Sequence, residues 1–302
     1  MALLLFACQT PVGVRRMDAK SVHLLLTRSA LSSEKPSPYT DQVLQRSGQG
    51  PTWRRDPERA LANLHQQIVW PFASDRLFAL AELSFLRAAE LSDRQRFLAS
   101  AAYAYAFLFP GDARFQPEPF DPRLRLAADL YNRALTLGLS LGGARVQLED
   151  ATLPLPIGSL RLHVDAEQLS WGGYALVDFV PAAELKIHGL RNRYRRPGLG
   201  APFVAGLEPL SERSGTRVTD VPPNIKVPVT LLLHFEDAWS QIRGGVLEGQ
   251  LRVYAADASE RVEVAGREVP LEYESSTALA SRLLDMMVMS LWSTHNVAPV
   301  MS

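Results

Sequence analysis

The spacing of apolar residues changes at Gly142-Gly143, and this change restricts the possible folds more than any other feature of the 302-residue sequence. Before these glycines, apolar residues recur every three or four positions, as they do along one face of an α-helix. After them, apolar and polar residues alternate, which is typical of half-buried β-strands. We therefore expect an α+β protein in which a helical domain is followed by a β domain.

In the first half, capping residues and prolines indicate where helices begin. Asp56-Pro57 and Asp121-Pro122 each place a capping carboxylate before a proline, which a first helical turn tolerates. Alanine-rich stretches would also let neighbouring helix axes approach closely. The pattern resembles tetratricopeptide-type helix pairs, although no clean repeat occurs at that period, and a compact helical bundle is the alternative. Helices are predicted at residues 17–31, 39–46, 57–69, 74–91, 92–108 and 121–137.

The second half contains short alternating segments separated by glycine turns. Gly172-Gly173 and Gly266 suit hairpins, because glycine accepts positive φ angles. Residues 209–223 are polar and interrupted by prolines, and are predicted to form an exposed loop. The pattern predicts an antiparallel β-sandwich or an open barrel. Strands are predicted at residues 146–148, 160–164, 174–180, 183–188, 227–235, 246–255, 261–265 and 268–274.

Cys8 is the only cysteine, so an intramolecular disulfide and a cysteine metal cluster are both excluded. The stretch that ends at Cys8, LLLFAC, resembles the end of a bacterial lipoprotein signal, in which the cysteine receives the lipid. No basic residue precedes this apolar run, and it is shorter than the usual core of about 7–15 residues, so the true start is expected upstream. The alternative is an ordinary buried cysteine. The resemblance implies removal of residues 1–7, a membrane-lipid anchor at Cys8 and a place in the bacterial cell envelope.

The densest basic cluster is the arginine segment, residues 191–196, which contains Arg191, Arg193, Tyr194, Arg195 and Arg196. Prolines and glycines follow it directly and prevent a helix from continuing, so the segment is expected to be extended. Side chains alternate along an extended chain, which would place Arg191, Arg193 and Arg195 on one face. These guanidiniums could dock onto another domain or bind an anion such as a phosphate or a lipid headgroup. The alternative is that they pair with acids of a neighbouring strand or domain.

Several kinds of chemistry are excluded or unsupported. The sequence has 32 basic and 32 acidic residues, which argues against a general nucleic-acid binder. The letters G-x-S-x-G occur at residues 138–142, but a helix leads into them, whereas a nucleophile elbow follows a strand. The six histidines have no partner at metal-ligand spacing, and no phosphate loop, dinucleotide fingerprint or calcium loop is present. No metal or cofactor is therefore expected.

Four blocks of sequence resemble one known family. They are residues 78–90, FALAELSFLRAAE; 101–110, AAYAYAFLFP; 120–135, FDPRLRLAADLYNRAL; and 177–202, VDFVPAAELKIHGLRNRYRRPGLGAP. These blocks are similar to the amino-terminal region of large bacterial lipoproteins of the α/β-hydrolase class, and the likeness covers most of residues 9–280. In that family a helical region and a β region precede the catalytic domain. The resemblance implies that this chain alone is inactive, because no position in it matches a catalytic residue of the family.

The expected organisation has four parts: a lipoprotein-type signal remnant at residues 1–8, a helical domain at 9–142, a β domain at 143–275, and a C-terminal helix and tail at 276–302. Past residue 280 the chain departs from the family, and a truncated or frameshifted product, a fragment and a free-standing accessory protein remain open. The expected function is the non-catalytic accessory and anchoring region of a membrane-anchored serine esterase or lipase, whose partner is the missing hydrolase domain or another protein. The alternative is a non-enzymatic envelope lipoprotein that binds a protein or a lipid.

Overall fold

The computed structural model of the protein describes residues 13–69, 71–140, 146, 148–187, 191–210, 226–255 and 260–277. It combines α-helices with a mostly antiparallel sheet, so the predicted mixture of helix and sheet is confirmed. The helices are α1 Ala19–Thr27, α2 Pro38–Arg46, α3 Gly50–Arg55, α4 Pro57–Gln66, α5 Ala73–Leu91, α6 Arg94–Leu108, α7 Arg123–Leu139 and α8 Ala238–Gly244. The strands are β1 Ala151–Leu155, β2 Gly158–Val164, β3 Ser170–Trp171, β4 Tyr174–Pro181, β5 Arg195–Arg196, β6 Ala201–Pro209, β7 Lys226–His234, β8 Val246–Ala255, β9 Arg261–Val264, β10 Arg267–Pro270 and β11 Tyr273–Glu274.

Helices of the first half begin where capping carboxylates occur in the sequence. The Asp56 side chain accepts a hydrogen bond from the Arg59 N–H at the start of α4, with Pro57 in the first turn. Asp121 accepts a hydrogen bond from the Arg123 N–H, the first residue of α7. A side-chain acceptor satisfies an N–H group that has no partner within the helix, which is why these residue types start helices.

α6 is the central helix, and α5 and α7 pack on either side of it. Every residue from Phe97 to Leu108 is buried. A helix that is apolar all round must be covered on all sides, and small alanine side chains let the neighbouring helices approach. The aromatic residues that alternate in this stretch all lie in the core: Tyr103, Tyr105, Phe107 and Phe109.

The main sheet has seven strands in the order β1-β2-β8-β7-β6-β4-β3. Its described neighbours are antiparallel except β2 and β8, which run parallel with Ser159 opposite Val246. β9 with β10, and β5 with β11, form two further antiparallel pairs. Both predicted hairpins are confirmed: Gly172 and Gly173 connect β3 to β4, and Gly266 lies in the turn between β9 and β10, all at positive φ.

β6 is absent from the sequence prediction because prolines and glycines interrupt its stretch. At Pro202 the strand pairs with β7 on one side, whereas its register with β4 reaches only Phe203. A proline has no N–H to offer a neighbouring strand, so it is tolerated where a strand is paired on one side only. β1 and α8 are likewise absent from the prediction, and β1 is an edge strand that contains Pro154.

The strand predicted at residues 183–188 is wrong. Ala182–Glu184 forms a 3-10 turn and residues 185–187 are not in a strand, while His188 lies outside the described residues. β4 shifts register between Val177 and Val180 and ends at Pro181, so the chain turns out of the sheet at this point. Of the strand predicted at 146–148, Val146 forms a single bridge with Phe179.

Helices and sheet share one continuous cluster of buried side chains. The Tyr131 hydroxyl on α7 donates to the Leu233 carbonyl at 2.7 Å and accepts from the Leu233 N–H at 2.8 Å. The Tyr105 hydroxyl on α6 lies 2.7 Å from Nδ1 of His234 at the end of β7. These contacts fix two helices against β7. The predicted boundary between residues 142 and 143 lies outside the described residues.

Candidate functional site

The arginine segment forms a short strand against the last described strand. In the pairing of β5 with β11, Arg195 lies opposite Glu274. Arg193 bonds to Glu274, and Arg195 bonds to Glu272. Both arginines therefore lie on one face and reach acids that are also two residues apart, which is the alternation expected of an extended chain.

Arg193 connects β11 to the turn that follows β4. Its Nε donates to Glu274 at 3.2 Å, and its Nη2 donates to the Ala182 carbonyl at 2.8 Å. Nη1 lies 3.4 Å from the carbonyl oxygens of Ala183 and Leu185. One guanidinium thus satisfies three carbonyl groups that the turn leaves without a strand partner.

Arg195 joins the segment to a buried acid and to α7. Its Nε donates to Glu272, which is only 1% exposed, and its Nη2 donates to Asp129 on α7 at 2.8 Å. The other carboxylate oxygen of Glu272 accepts the Gly198 N–H at 2.8 Å. A buried carboxylate needs both a compensating charge and filled hydrogen bonds, and Glu272 has both.

The remaining residues of the segment point to different surroundings. Arg196 pairs with Glu260 at 2.9 Å, and its guanidinium lies 5.5 Å from the ring centre of Tyr273. The Tyr194 side chain is 63% exposed, while its backbone N–H bonds to the Ser276 hydroxyl. Arg191 is exposed in a bend. The structure therefore pairs Arg193, Arg195 and Arg196 with acids of this chain, which is the arrangement stated as the alternative to an anion site.

The glycine-rich loop after the segment is held by α7. The Asn132 side chain donates to the Gly198 carbonyl at 3.0 Å and accepts the Gly200 N–H at 2.7 Å. A Cβ added at Gly198 would overlap the backbone of Leu271, so glycine is needed for this close approach. Gly198 thus packs against the chain just before β11, and Gly200 packs against Thr230 and Leu231 of β7, in agreement with the absence of a nucleotide fingerprint.

An open cleft of about 600 Å³ lies beside Arg195. It is bounded by α5, by α7, by the turn after β4 and by the chain around β11. Its charged lining consists of Asp129, Arg133, Arg195, Glu272 and Glu274. Its apolar lining consists of Ala30, Leu31, Phe85, Ala89, Leu137, Ala182, Ala183 and Pro202. The cleft thus combines three carboxylates, two guanidiniums and an apolar wall.

Three members of this site, Asp129, Asn132 and Glu272, are not predicted from the sequence. A signal for Glu272 does exist, because R-x-R at residues 193–195 and E-x-E at 272–274 carry opposite charges at the same spacing. Cross-strand pairs of opposite charge produce such a match. No sequence pattern of this kind identifies Asp129 and Asn132, because their contacts depend on how α7 packs against the arginine segment and the glycine-rich loop after it.

Other residues considered in the sequence do not join the cleft. The Ser140 hydroxyl is buried and donates to the Thr136 carbonyl at 2.7 Å, at the end of α7, so a helix precedes it as expected. Cys8 and His295 lie outside the described residues. Within the described part of the chain, no helix is long and apolar enough to cross a membrane, and no group of three or more His, Cys, Asp or Glu could hold a metal ion.

A smaller cavity of about 260 Å³ lies between α4 and α6. Nδ1 of His65 lies 2.7 Å from the hydroxyl of the buried Tyr103. Burial lowers the pKa of His65, because a charged imidazole would lose solvation there. At the rim, Glu58 bonds to Arg87 and Arg96, and these bonds outweigh burial and lower the pKa of its carboxyl.

Fold and site together define a protein with helices packed against a mostly antiparallel sheet and a charged cleft where the two meet. The chain matches no protein-family model, and searches of the curated proteins and of the solved structures give no match either. Function therefore has to be inferred from the cleft and the segments around it.

Proposed function

We propose that this chain is the non-catalytic accessory and anchoring region of a membrane-anchored bacterial α/β-hydrolase of the serine esterase or lipase type. In this proposal the cleft beside Arg195 receives the catalytic domain, or a protein partner that supplies it. The observation that carries the proposal is the cleft itself, which is about 600 Å³, open to solvent and lined by both apolar and charged side chains. Protein interfaces combine these features.

The charges of the cleft favour a protein over a free anion. Three carboxylates and two guanidiniums line it, and Arg195 already bonds to Glu272 and Asp129. A phosphate or lipid headgroup would have to displace one of these carboxylates and would face the others. A protein surface that carries a lysine or arginine beside apolar residues suits the lining better.

The position of the cleft also supports docking of a domain joined after the described residues. Glu274 lines the cleft, and Ser276 bonds to the backbone of Tyr194 beside it. A domain joined after Ser302 would follow the last described residue, Thr277, by 25 residues, so it would be tethered near the cleft. Tethering raises the effective concentration of the docking surfaces, so the interface needs little affinity of its own.

The proposal also includes two fold relationships: tetratricopeptide-like pairing of the helices, and a β half related to a sandwich or an open barrel. Packing of α5 on α6 and of α6 on α7 supports tetratricopeptide-like pairing of the helices. The antiparallel neighbours of β4, β6, β7 and β8 support a β half related to a sandwich or open barrel. An experimental structure that includes the downstream domain would test both relationships.

Anchoring is assigned to Cys8 and places the protein in the bacterial cell envelope. Support comes from the lipoprotein-like stretch LLLFAC. Replacing Cys8 with Ser in a native host should abolish incorporation of radiolabelled palmitate into the protein, because the thiol that receives the lipid would be gone. Label incorporated undiminished by the Cys8→Ser protein would contradict lipid attachment at this residue, whether or not the protein stays at the membrane.

The catalytic part of the proposal is tested with a short-chain p-nitrophenyl ester. We expect no activity from this chain and activity from a version extended by the downstream reading frame. In the extended version, Ala89→Trp should fill the cleft and lower activity roughly tenfold, because a displaced domain loses its positioning. Ala62→Trp, an exposed alanine on α4, is the matched control.

Two results would contradict this proposal in different ways. Inactivity of the extended version would remove the hydrolase assignment. Activity that is equal in the Ala89→Trp and Ala62→Trp proteins would keep the hydrolase and exclude the cleft as its docking surface. Inactivity combined with Cys8-dependent palmitate incorporation would favour the second candidate, an envelope lipoprotein whose cleft binds a protein, for which the half-apolar lining is the supporting observation.

A further inference from the structure

α1 projects from the protein with its apolar side chains in solvent. None of its residues is buried, and Val22, Leu24, Leu25 and Leu26 are between 38% and 71% exposed. Val22, Leu25 and Leu26 fall on one side of the helix at its period, while Lys20 and His23 fall on the other, together with Leu24. A helix of nine residues is not stable in water by itself. Its apolar side is therefore expected to be covered by another surface.

The charges around α1 are almost all positive. Arg15, Arg16 and Lys20 are exposed, whereas Asp18 is the single acid between residues 13 and 28. The Asp18 carboxylate accepts the Ser21 N–H at 3.0 Å and the Ser21 hydroxyl at 2.6 Å, so it is committed to capping the helix. Any surface that covers α1 therefore lies against positive charge.

α1 is also firmly attached to the rest of the protein at its C-terminal end. Arg28 pairs with Asp41 on α2. The Ala30 N–H bonds at 2.8 Å to the carboxylate of the buried Glu82 on α5. A surface bound by α1 would thus be held at a defined place relative to the helices.

We infer that α1 lies on an anionic lipid surface, with Val22, Leu25 and Leu26 inserted among the lipids and Arg15, Arg16 and Lys20 against the headgroups. Basic residues beside an aliphatic helix face are the features of a helix that binds in the membrane interface. Each basic residue near an anionic leaflet contributes attraction that salt screens. This inference is independent of lipid attachment at Cys8 and of docking in the cleft.

Charge complementarity selects a lipid surface over other occupants. A second copy of α1 would bring basic residues against basic residues. Residues 279–292 of the same chain are apolar and contain one acid, Asp285, and one base, Arg282, so they carry no net negative charge to match. An anionic bilayer provides both the apolar layer and a uniform negative charge.

The test uses the full chain with Cys8→Ser, so that no lipid can be attached. We expect it to co-sediment with vesicles that contain phosphatidylglycerol and not with vesicles of phosphatidylcholine alone. Replacing Leu25 and Leu26 with Ser should lower the bound fraction about tenfold or more, because two leucine side chains no longer enter the lipid. Lys20→Glu should weaken binding most at low salt. Phe120→Ser, at a residue 97% exposed before α7, is the matched control and should bind normally.

The melting temperature of the Leu25→Ser, Leu26→Ser protein shows whether a loss of vesicle binding comes from the missing leucines or from a destabilised fold. Since no α1 side chain is buried, the Leu25→Ser, Leu26→Ser protein should melt at the parent temperature. A lower melting temperature would mean that part of the chain covers the apolar side, and would overturn the inference. Absence of binding to phosphatidylglycerol vesicles, or binding that the leucine changes leave intact, would also overturn it. The inference would also be overturned if vesicle binding were lost in the Arg193→Ala, Arg195→Ala protein and kept in the leucine variant, because the arginine segment would then be the lipid-binding element.

Discussion

Glu82 lies in the middle of α5 and is fully buried. Its carboxylate accepts hydrogen bonds from the Ala30 N–H at 2.8 Å, the Ser37 N–H at 2.9 Å and the Ser37 hydroxyl at 2.7 Å. Ser37 in turn caps α2. One side chain therefore attaches both the segment after α1 and the start of α2 to the central helices.

Replacing Glu82 with Ala should destabilise the protein by about 3 kcal/mol, because three buried donors would lose their acceptor. Urea unfolding measures this difference. Glu90→Ala on the same helix is the control: Glu90 is exposed and pairs with Arg87, so its loss should change stability by less than about 0.5 kcal/mol. Similar losses in the two variants would show that Glu82 contributes no more than a surface acid.

Two histidine–tyrosine pairs, a half-buried one at His65 and a buried one at His234, predict how stability depends on pH. Burial lowers the pKa of His65, and burial with the nearby charge of Arg252 lowers that of His234, against a smaller opposing effect of Glu236. The unfolded chain then binds protons at a higher pH than the folded protein does. Stability should be unaffected above the usual histidine pKa of about 6.5 and should decrease as pH falls from there towards the folded-state values.

Thermal unfolding between about pH 7.5 and about pH 5.5 tests this expectation. The melting temperature should fall by a few degrees over that range, on the order of 2–4 °C per kcal/mol lost. His65→Gln and His234→Gln should each reduce the fall, since neither variant can take up the proton on unfolding. His23→Gln, on the exposed α1, should leave it unchanged. If the melting temperature falls just as far with pH in both the His65→Gln and the His234→Gln proteins, the two histidines are not the groups that cause the fall.

At the level of elements, the sequence predicts structure where the signal is local. Asp56-Pro57 marks the start of α4 and Gly172-Gly173 marks a hairpin, because caps and turns involve residues next to each other in the chain. β6 was missed because Pro202 is acceptable only through the way β4 and β7 flank the strand. The contacts of Asn132 with Gly198 and Gly200 were missed for the same reason, since they join residues far apart in sequence.

Gly158 and Gly245 meet where the parallel pair of β2 and β8 begins. The Ser159 N–H bonds to the Gly245 carbonyl at 2.9 Å. A Cβ at Gly158 would overlap that same carbonyl oxygen, and φ at Gly158 is +129°. The close approach of two backbones at this point therefore depends on the missing side chain.

Gly158→Ala should destabilise the protein by about 3 kcal/mol or more, because the backbone of β2 or of the turn before β8 has to move. Gly173→Ala is the matched control, because φ at Gly173 is also positive, at +88°, but no atom lies within 4 Å of an added Cβ. Only the backbone strain of about 1 kcal/mol is therefore expected for this variant. Urea denaturation of the two variants compares the effects. Equal losses would show that positive φ alone explains both.

Across the whole molecule, helices and sheet form one hydrophobic core. Tyr131 lies at the centre of the contact, with both hydrogen bonds of its hydroxyl made to Leu233. A shared core predicts that the two halves unfold together, because neither can lose the other without exposing apolar surface.

Far-UV circular dichroism follows the helices. In a protein whose Trp53, Trp70 and Trp292 are replaced with Phe, the remaining fluorescence of Trp171 and Trp239 follows the part of the chain after α7. We expect the two signals to change in one coincident transition. Tyr131→Phe should shift both equally and cost about 2 kcal/mol, because a buried N–H and a buried carbonyl lose their partner. Tyr39→Phe, at a residue exposed on α2, should have little effect. Separate transitions for the two signals would mean that the halves are energetically independent.

The parallel pairing of β2 with β8 has a consequence for synthesis of the chain. The β1–β2 hairpin ends at Val164, and among the strands that the structure describes it joins the rest of the main sheet through β8 alone, which begins at Val246. At a translation rate of about 5–20 residues per second, the ribosome needs on the order of ten seconds to make the intervening chain. During that interval Leu160 and Leu162, which are buried in the finished protein, have no sheet to pack in. The nascent hairpin is therefore the part of this protein that a ribosome-associated chaperone would be expected to bind.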